Sequence, residues 1–365
     1  MRLTNYWWLL IWPLLFGAFS FLMNIQRTEL VNGQRCLRWR PIAAVAFVIP
    51  YVIWAGGRTQ FGDTEMYRHS FQNLSGSISE IGAYMDTVKK GPGFQLFEFL
   101  FKNLISHSDV AFFLLVAAIQ LGCLVHVYRK YSPSFWLSMF FFIASADYLS
   151  WMFNGIRQFL AVSLVFLCVP LIAKRRYIPA ILITLLASTI HISALVFLPF
   201  IFIVNGRSWN LRTLLFIAGI IIAIIFVDRV TGFVSQAMED TVYEGDIVIL
   251  QKDDGTNIFR VLFYSVPAVM AWVFRPYLDK SNDHFINICA NLSIIAAGFY
   301  VFSFFSSGIL FGRLPVYFSL SNYILIPWLI QNAFTRESAV VLNFSFVAVY
   351  VTFFYYQCGI SWGLL

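Results

Sequence analysis

The chain has 365 residues, 59% hydrophobic and only 12% charged, with a net charge of +7 and 19% aromatic residues. Soluble domains carry about twice that share of charge, so the composition excludes a water-soluble protein and leaves no room for a separate soluble domain. The positive balance belongs with membrane orientation and anionic-lipid contact rather than with nucleic-acid binding.

Apolar runs of about 17–22 residues, the length that crosses hydrocarbon, recur from end to end. Spans are predicted near 6–23, 41–56, 110–128, 134–149, 154–173, 211–228, 258–274, 285–304, 314–331 and 339–357. The expected fold is all-α, a single polytopic transmembrane bundle over 1–365 with about ten to twelve transmembrane helices. The first run, Tyr6 to Met23, follows only Arg2 and ends in no small-x-small cleavage site, so it reads as a retained span rather than a signal peptide. Trp7 and Trp8 suit an interfacial belt. Cys36, Cys123, Cys168, Cys289 and Cys358 are too scattered for a disulfide framework or a zinc site.

Orientation follows from the basic residues of short loops. Arg27, Arg35, Arg38 and Arg40, then Arg129-Lys130, then Lys174-Arg175-Arg176 all point to cytoplasmic loops. The stretch 177–204 is long for one helix and short for two. Read as a hairpin with His191 at its outer tip, it also makes the loops bearing Arg207, Arg212, Arg275, Lys280 and Arg336 cytoplasmic, and this reading is preferred. Each arm reaches only about 20 Å, so the tip sits below the outer interface, sheltered by protein. Two outside loops are predicted. Residues 57–109 hold the chain break Gly91-Pro92-Gly93. After it, Phe94, Phe97, Phe101, Leu104 and Ile105 oppose Gln95, Glu98, Lys102 and Ser106 at helical spacing. That pattern fits an amphipathic interfacial helix or a helix packed on the bundle. Residues 229–257 are acidic and read as an extracytoplasmic loop.

His191 is the only ionisable residue between Arg176 and Arg207, and such a group is costly at membrane depth. It can be a packed histidine bonded to a carbonyl or serine, or a functional one. On this topology Arg58, Asp63, Arg157, His191 and Arg313 all gather at the outer face. Arg157 follows Asn154-Gly155-Ile156 in the first turn of an outside-to-inside helix, where the macrodipole is already positive and an arginine is disfavoured unless an anion joins it. Gly312-Arg313-Leu314-Pro315 repeats the arrangement, with Pro315 tolerated in a first turn. Two helix N-termini, each with a guanidinium, would bind a diphosphate. The structural alternatives are an Arg157–Asp147 salt bridge, a snorkelling Arg313, and an Arg58 that merely suits the outward end of its helix. Asp63 and Glu65 could hold a divalent metal, or lie on an ordinary solvated loop. Asp253-Asp254-Gly255 reads as a turn.

Arg58 to Tyr67, with Asp63 between, then Gly91-Pro92-Gly93-Phe94, Phe153-Asn154-Gly155-Ile156-Arg157-Gln158 and Leu186-Ala187-Ser188-Thr189-Ile190-His191-Ile192-Ser193-Ala194 form an ordered set. This set resembles the EpsG family of bacterial exopolysaccharide polymerases, a Wzy-like group that includes O-antigen-type enzymes. The match covers roughly residues 50–205, and Gly312-Arg313 with Tyr317-Phe318 extends it. The resemblance implies a glycosyltransferase-C-like architecture in the bacterial inner membrane. It implies a polymerase that joins oligosaccharide units linked to a polyprenyl diphosphate such as undecaprenyl diphosphate, at the extracytoplasmic face. It further implies no metal or other cofactor, and a copolymerase partner that sets chain length. In that setting Arg157, Arg313 and Arg58 would neutralise the leaving diphosphate, with Tyr67, Asn154 and Gln158 lining the substrate site. His191, a neutral imidazole if buried, would accept the acceptor hydroxyl's proton, and Asp63 is the alternative base. Two rivals stand beside this reading: a metal-dependent enzyme using a polyprenyl-phosphate sugar through Asp63 and Glu65, and a flippase for lipid-linked glycans. Flippases and other transporters show repeats and midplane charges, neither of which is visible here. A third rival, a membrane acyltransferase with His191 as base, is disfavoured by the ordered motifs.

Overall fold

The computed structural model describes residues 5–23, 25–31, 34–74, 76–238 and 255–365. These residues are helical apart from one two-stranded hairpin, as the apolar periodicity predicts. The chain forms two compact units. The first comprises Met1–Leu167, Leu185–Ile192 and Phe334–Leu365; the second comprises Cys168–Thr184 and Ser193–Ala333. By length and composition four helices can cross a membrane, or seven if each bent pair counts as one span, alongside shorter apolar helices. The predicted spans therefore coincide with helices, but several are broken. The expected run 134–149 is Phe135–Ala144 followed, at a 69° bend, by a π-helical turn over Tyr148–Asn154.

In the first unit, α1 (Trp8–Leu22) leads into strands β1 (Gln26–Val31) and β2 (Gln34–Trp39), paired antiparallel with Gln26 opposite Trp39. A plain loop was expected there. Helix α2 (Pro41–Gly57) follows, with its proline in the first turn, where no N–H is needed. Well beyond it comes α6 (Asp109–Tyr131). These two helices run antiparallel. At one end a Cβ on Gly56 would stand 2.7 Å from the Leu114 backbone. At the other, Arg129 donates to the Trp39 carbonyl (2.9 Å) and the Glu29 carboxylate (2.6 Å), and Arg38 donates to the Lys130 carbonyl (2.9 Å). The bond from Arg129 holds the Glu29 carboxyl below its ordinary range against the opposing effect of burial. The first two basic loops thus share one end of the unit, and Arg58 stands at the opposite end of α2.

The segment between α2 and α6 holds α3 (Thr64–Asn73), α4 (Ile81–Thr87) and α5 (Pro92–Leu104). Phe94 and Phe101 of α5 enter a buried cluster with Tyr67, Phe71, Phe112 and Ile156. Helix α5 therefore packs on the bundle, and its exposed large apolar side chains are Leu104 and Ile105 at its end. Lys102 donates from one Nζ to the carbonyls of Phe71 (2.8 Å), Gln72 (2.9 Å) and Leu74 (2.8 Å), and so caps α3.

In chain order, α7 (Phe135–Ala144) and the π turn precede α8 (Ile156–Phe166) and α9 (Cys168–Ala173). Helix α10 (Tyr177–Ile190) stops at His191; a 3-10 turn over Ile192–Val196 and α11 (Phe197–Ile203) complete the stretch. Tyr177 at its start packs on Phe202 (ring centroids 5.7 Å) and accepts a hydrogen bond from Asn205 at its end. The stretch is a hairpin with His191 at the turn. In the second unit Leu211–Ile225 and Val227–Met238 meet at 90°, so the start of the predicted acidic loop is helical. Residues 239–254, with Asp253-Asp254, lie outside the described residues.

Candidate functional site

Every sequence-selected motif of the first unit meets around α3, the start of α8 and the hairpin tip. The α2 helix ends at Arg58, which is 3% exposed. Its Nη1 donates to the Ala55 carbonyl, its Nε to Thr64 Oγ1 (3.0 Å), and its guanidinium lies 5.3 Å from both the Phe113 and Phe153 ring centroids. Burial, helped by nearby Arg68, pushes its pKa down to about 10, so it stays charged at neutral pH. Arg58 is thus a packing centre that ties α2 to α3, with only Nη2 lacking a partner. This favours the structural side of the sequence reading. Arg68, which the sequence did not single out, donates to the Arg58 carbonyl and pairs with Asp109 at 3.0 Å, fixing α3 to the start of α6.

Asp63 occupies the residue before α3 without a side-chain capping bond and is half-buried. Its backbone N–H donates to Asn154 Oδ1 (3.1 Å), and the missing side chain of Gly62 makes the space that Asn154 occupies. The Asn154 motif is therefore joined to the Asp63 motif through backbone rather than through carboxylate chemistry. Glu65 is exposed, and among the described residues no three His, Cys, Asp or Glu side chains group as a metal site.

Arg157 occupies the second position of α8, within the first turn, as the sequence implied. The guanidinium stands 5.7 Å over the ring of Tyr67, itself buried in α3. Its Nε is buried without a partner. A donor of this kind at a positive helix end is a receptive place for an anion. Gln158, the next residue, is 4% exposed and faces the interior.

Gly91 explains how the hairpin tip reaches Arg157. Its backbone is left-handed (φ +63°), which an L side chain resists. A Cβ there would lie 2.8 Å from the Ile190 carbonyl oxygen and 3.9 Å from Arg157 Nη1. Thr189 similarly fills the space beside Gly93. The Gly-Pro-Gly break thus brings Gly91 close to both the turn that carries His191 and the Arg157 guanidinium. His191 is half-buried, and its N–H closes the last turn of α10 on the Ala187 carbonyl (3.0 Å).

Glu98 was missed as a site residue. Helical spacing put it on the polar face of α5, yet the structure leaves it 1% exposed with Oε2 unpaired. Burial raises its pKa to about 7, with Arg157 and Lys102 pulling the other way. That charge and, more strongly, burial push the nearby Tyr84 hydroxyl up to about 12. The only sequence signal was one acid in an otherwise basic and amide face, which is weak.

Arg313 is the residue whose local setting the sequence misjudged. It belongs to the second unit, is exposed, and ends a 3-10 turn over Phe311–Arg313. Leu314 and Pro315 follow before a four-residue helix, Val316–Ser319, so Arg313 sits in no helical first turn. In the same unit the Tyr317 hydroxyl shares a hydrogen bond with Ser193 Oγ (2.9 Å).

The fold defines a multi-pass membrane protein, and in its first unit a half-buried Arg157 at the start of α8 lies near a histidine-bearing hairpin turn. Residues 42–359 match the EpsG family, and the chain belongs to that family. It is accordingly a membrane protein of polysaccharide biosynthesis, of the polysaccharide-polymerase type and glycosyltransferase-like. No curated protein and no solved structure matches the chain.

Proposed function

We propose that the protein polymerises oligosaccharide repeat units carried on polyprenyl diphosphate, at the extracytoplasmic face of the bacterial inner membrane. The observation that carries this reading is the seating of the His191 turn against Arg157 through Gly91. Basic loops clasped at the far end of α2 and α6 support the orientation, because short basic loops stay cytoplasmic.

In this mechanism the donor glycan lies with its diphosphate against Arg157. An acceptor hydroxyl oxygen attacks the anomeric carbon, the bond from that carbon to the diphosphate oxygen breaks, and the hydroxyl proton passes to His191. The diphosphate departs with the bonding pair, and its charge is met by the guanidinium and the positive end of α8, where a partly dry site makes that stabilisation strongest. Asp63 is the second proton acceptor to weigh, since it enters the same cluster through Asn154. Tyr67 holds the guanidinium plane from beneath. Gln158 lies one residue on from Arg157 and orders the interior side.

The test is reconstitution with a lipid-linked oligosaccharide and a gel that resolves laddered product. Arg157→Ala and His191→Ala should abolish the ladder while the protein still inserts. Arg157→Lys should recover little, because an ammonium lacks the bidentate fork. Normal ladders in both alanine variants would end the assignment. Loss of product on adding a chelator would favour the metal-dependent enzyme, and translocation without any ladder would favour the flippase.

A further inference from the structure

The second unit holds a cavity of about 330 Å³ that the polymerase chemistry does not use. Its ionisable lining is entirely basic: Arg175, Arg207, Arg212 and His284, with amides from Asn205 and Asn282 among them. A space of this size lies at the small end of ligand sites. The nearest acid in sequence, Asp283, is already engaged, its Oδ1 accepting from the N–H groups of Phe285 (3.0 Å) and Ile286 (3.3 Å). The Nε2 of His284 is buried with no partner. Arg175 holds a left-handed backbone (φ +56°), whereas that of Asn282 (φ +50°) is the ordinary left-handed cap of the helix Arg275–Ser281. The cavity is formed by three chain segments that converge: the loop after α9, the loop after α11, and the start of the helix His284–Phe304.

Among the described residues the three guanidiniums form no ion pair, and the concentration of donors suits a phosphate, which guanidinium forks bind through paired oxygens. The surroundings say where that phosphate comes from. Arg212, which lines the cavity, donates from Nη1 to the carbonyl of Phe202 (2.7 Å), and Phe202 and the neighbouring Leu211 are 51% and 70% exposed. Apolar side chains beside a basic basin at the ends of membrane helices match a headgroup with its acyl chains alongside. These loops are also the ones whose basic residues point to the cytoplasmic side. We propose that this basin is a phosphate-binding site whose occupant in the membrane is the headgroup of an anionic phospholipid of the inner leaflet.

The experiment is native mass spectrometry and thermal unfolding of the purified full-length protein, given phosphatidylglycerol or cardiolipin, with phosphatidylcholine for comparison. A second arm adds inorganic phosphate or pyrophosphate. The variant is Arg175→Gln with Arg207→Gln, which leaves the Arg212 bond to Phe202 intact. Anionic lipid should be retained by the native protein, about tenfold less by the double variant, and phosphatidylcholine by neither. The lysine pair at the same positions should restore part of the retention. If the double variant does not fold, His284→Ala and competition by phosphate on the native protein carry the test. Equal retention of anionic lipid by native and variant protein would overturn the site. Stabilisation by inorganic phosphate together with displacement of lipid would keep a phosphate site and overturn the lipid as its occupant. The polymer ladder is a separate readout, so failure of this site and failure of the polymerase reading are distinguishable.

Discussion

Replacing Gly91 by alanine tests the geometry on which the catalytic reading stands. The left-handed backbone costs an L residue roughly 1–2 kcal/mol. The new Cβ would also stand 2.8 Å from the Ile190 carbonyl oxygen. That oxygen belongs to the backbone of the hairpin turn and cannot rotate away, so relief requires shifting the turn, an overpacking cost of about 1–3 kcal/mol. The sum, roughly 2–5 kcal/mol, is enough to lower the fraction of turns seated against Arg157 by about thirtyfold or more. Gly82 in α4 is the matched control, because nothing lies within 4 Å of a Cβ built there and its φ is not positive. In cells carrying only the variant gene, Gly91→Ala should abolish or shorten polymer at normal protein abundance, and the purified protein should melt earlier. Gly82→Ala should leave both unchanged or raise stability by about 0.4–1 kcal/mol. Full-length polymer and an unshifted melting temperature in Gly91→Ala would refute the proposed seating of the turn.

Two further expectations concern α5. Glu98 ionises near 4.5 in the unfolded chain and only at about 7 in the folded protein, so stability falls as pH rises through that window and then levels off. Glu98→Gln should remove that slope, worth about 3 kcal/mol between pH 4.5 and 7, and superimposable melting curves across pH for the two proteins would contradict it. Lys102→Met should lower stability by about 1–3 kcal/mol, because three carbonyls at the end of α3 lose a charged donor. A melting temperature equal to that of the native protein would show that water replaces the ammonium without loss.

Much of the fold could be read directly from the chain. Long apolar runs in a sequence so poor in charge have one stable form in lipid, because every backbone N–H and C=O must be satisfied within the segment, and helices do that locally. Length left 177–204 open between one span and two, and the hairpin was preferred because it keeps the later basic loops on the cytoplasmic side. Arg157, Asp63, Asn154 and Tyr67 were visible as motifs, and helical phase placed Arg157 correctly in a first turn.

Tertiary structure decided the rest. Helical spacing gave Glu98 a polar face, but whether that face meets water or protein depends on what packs above it, and α5 turned out to be covered on both sides. The same dependence holds for Arg58, for which the sequence left a structural and a ligand role open, and whose neighbours Phe113, Phe153 and Thr64 only the fold supplies. The bend around Ala146 escaped prediction because the apolar pattern runs on across it. Local sequence fixes which backbone hydrogen bonds can form. Which side chains end up face to face is set by contacts between segments far apart in the chain, and a pattern of residue types does not encode those distances.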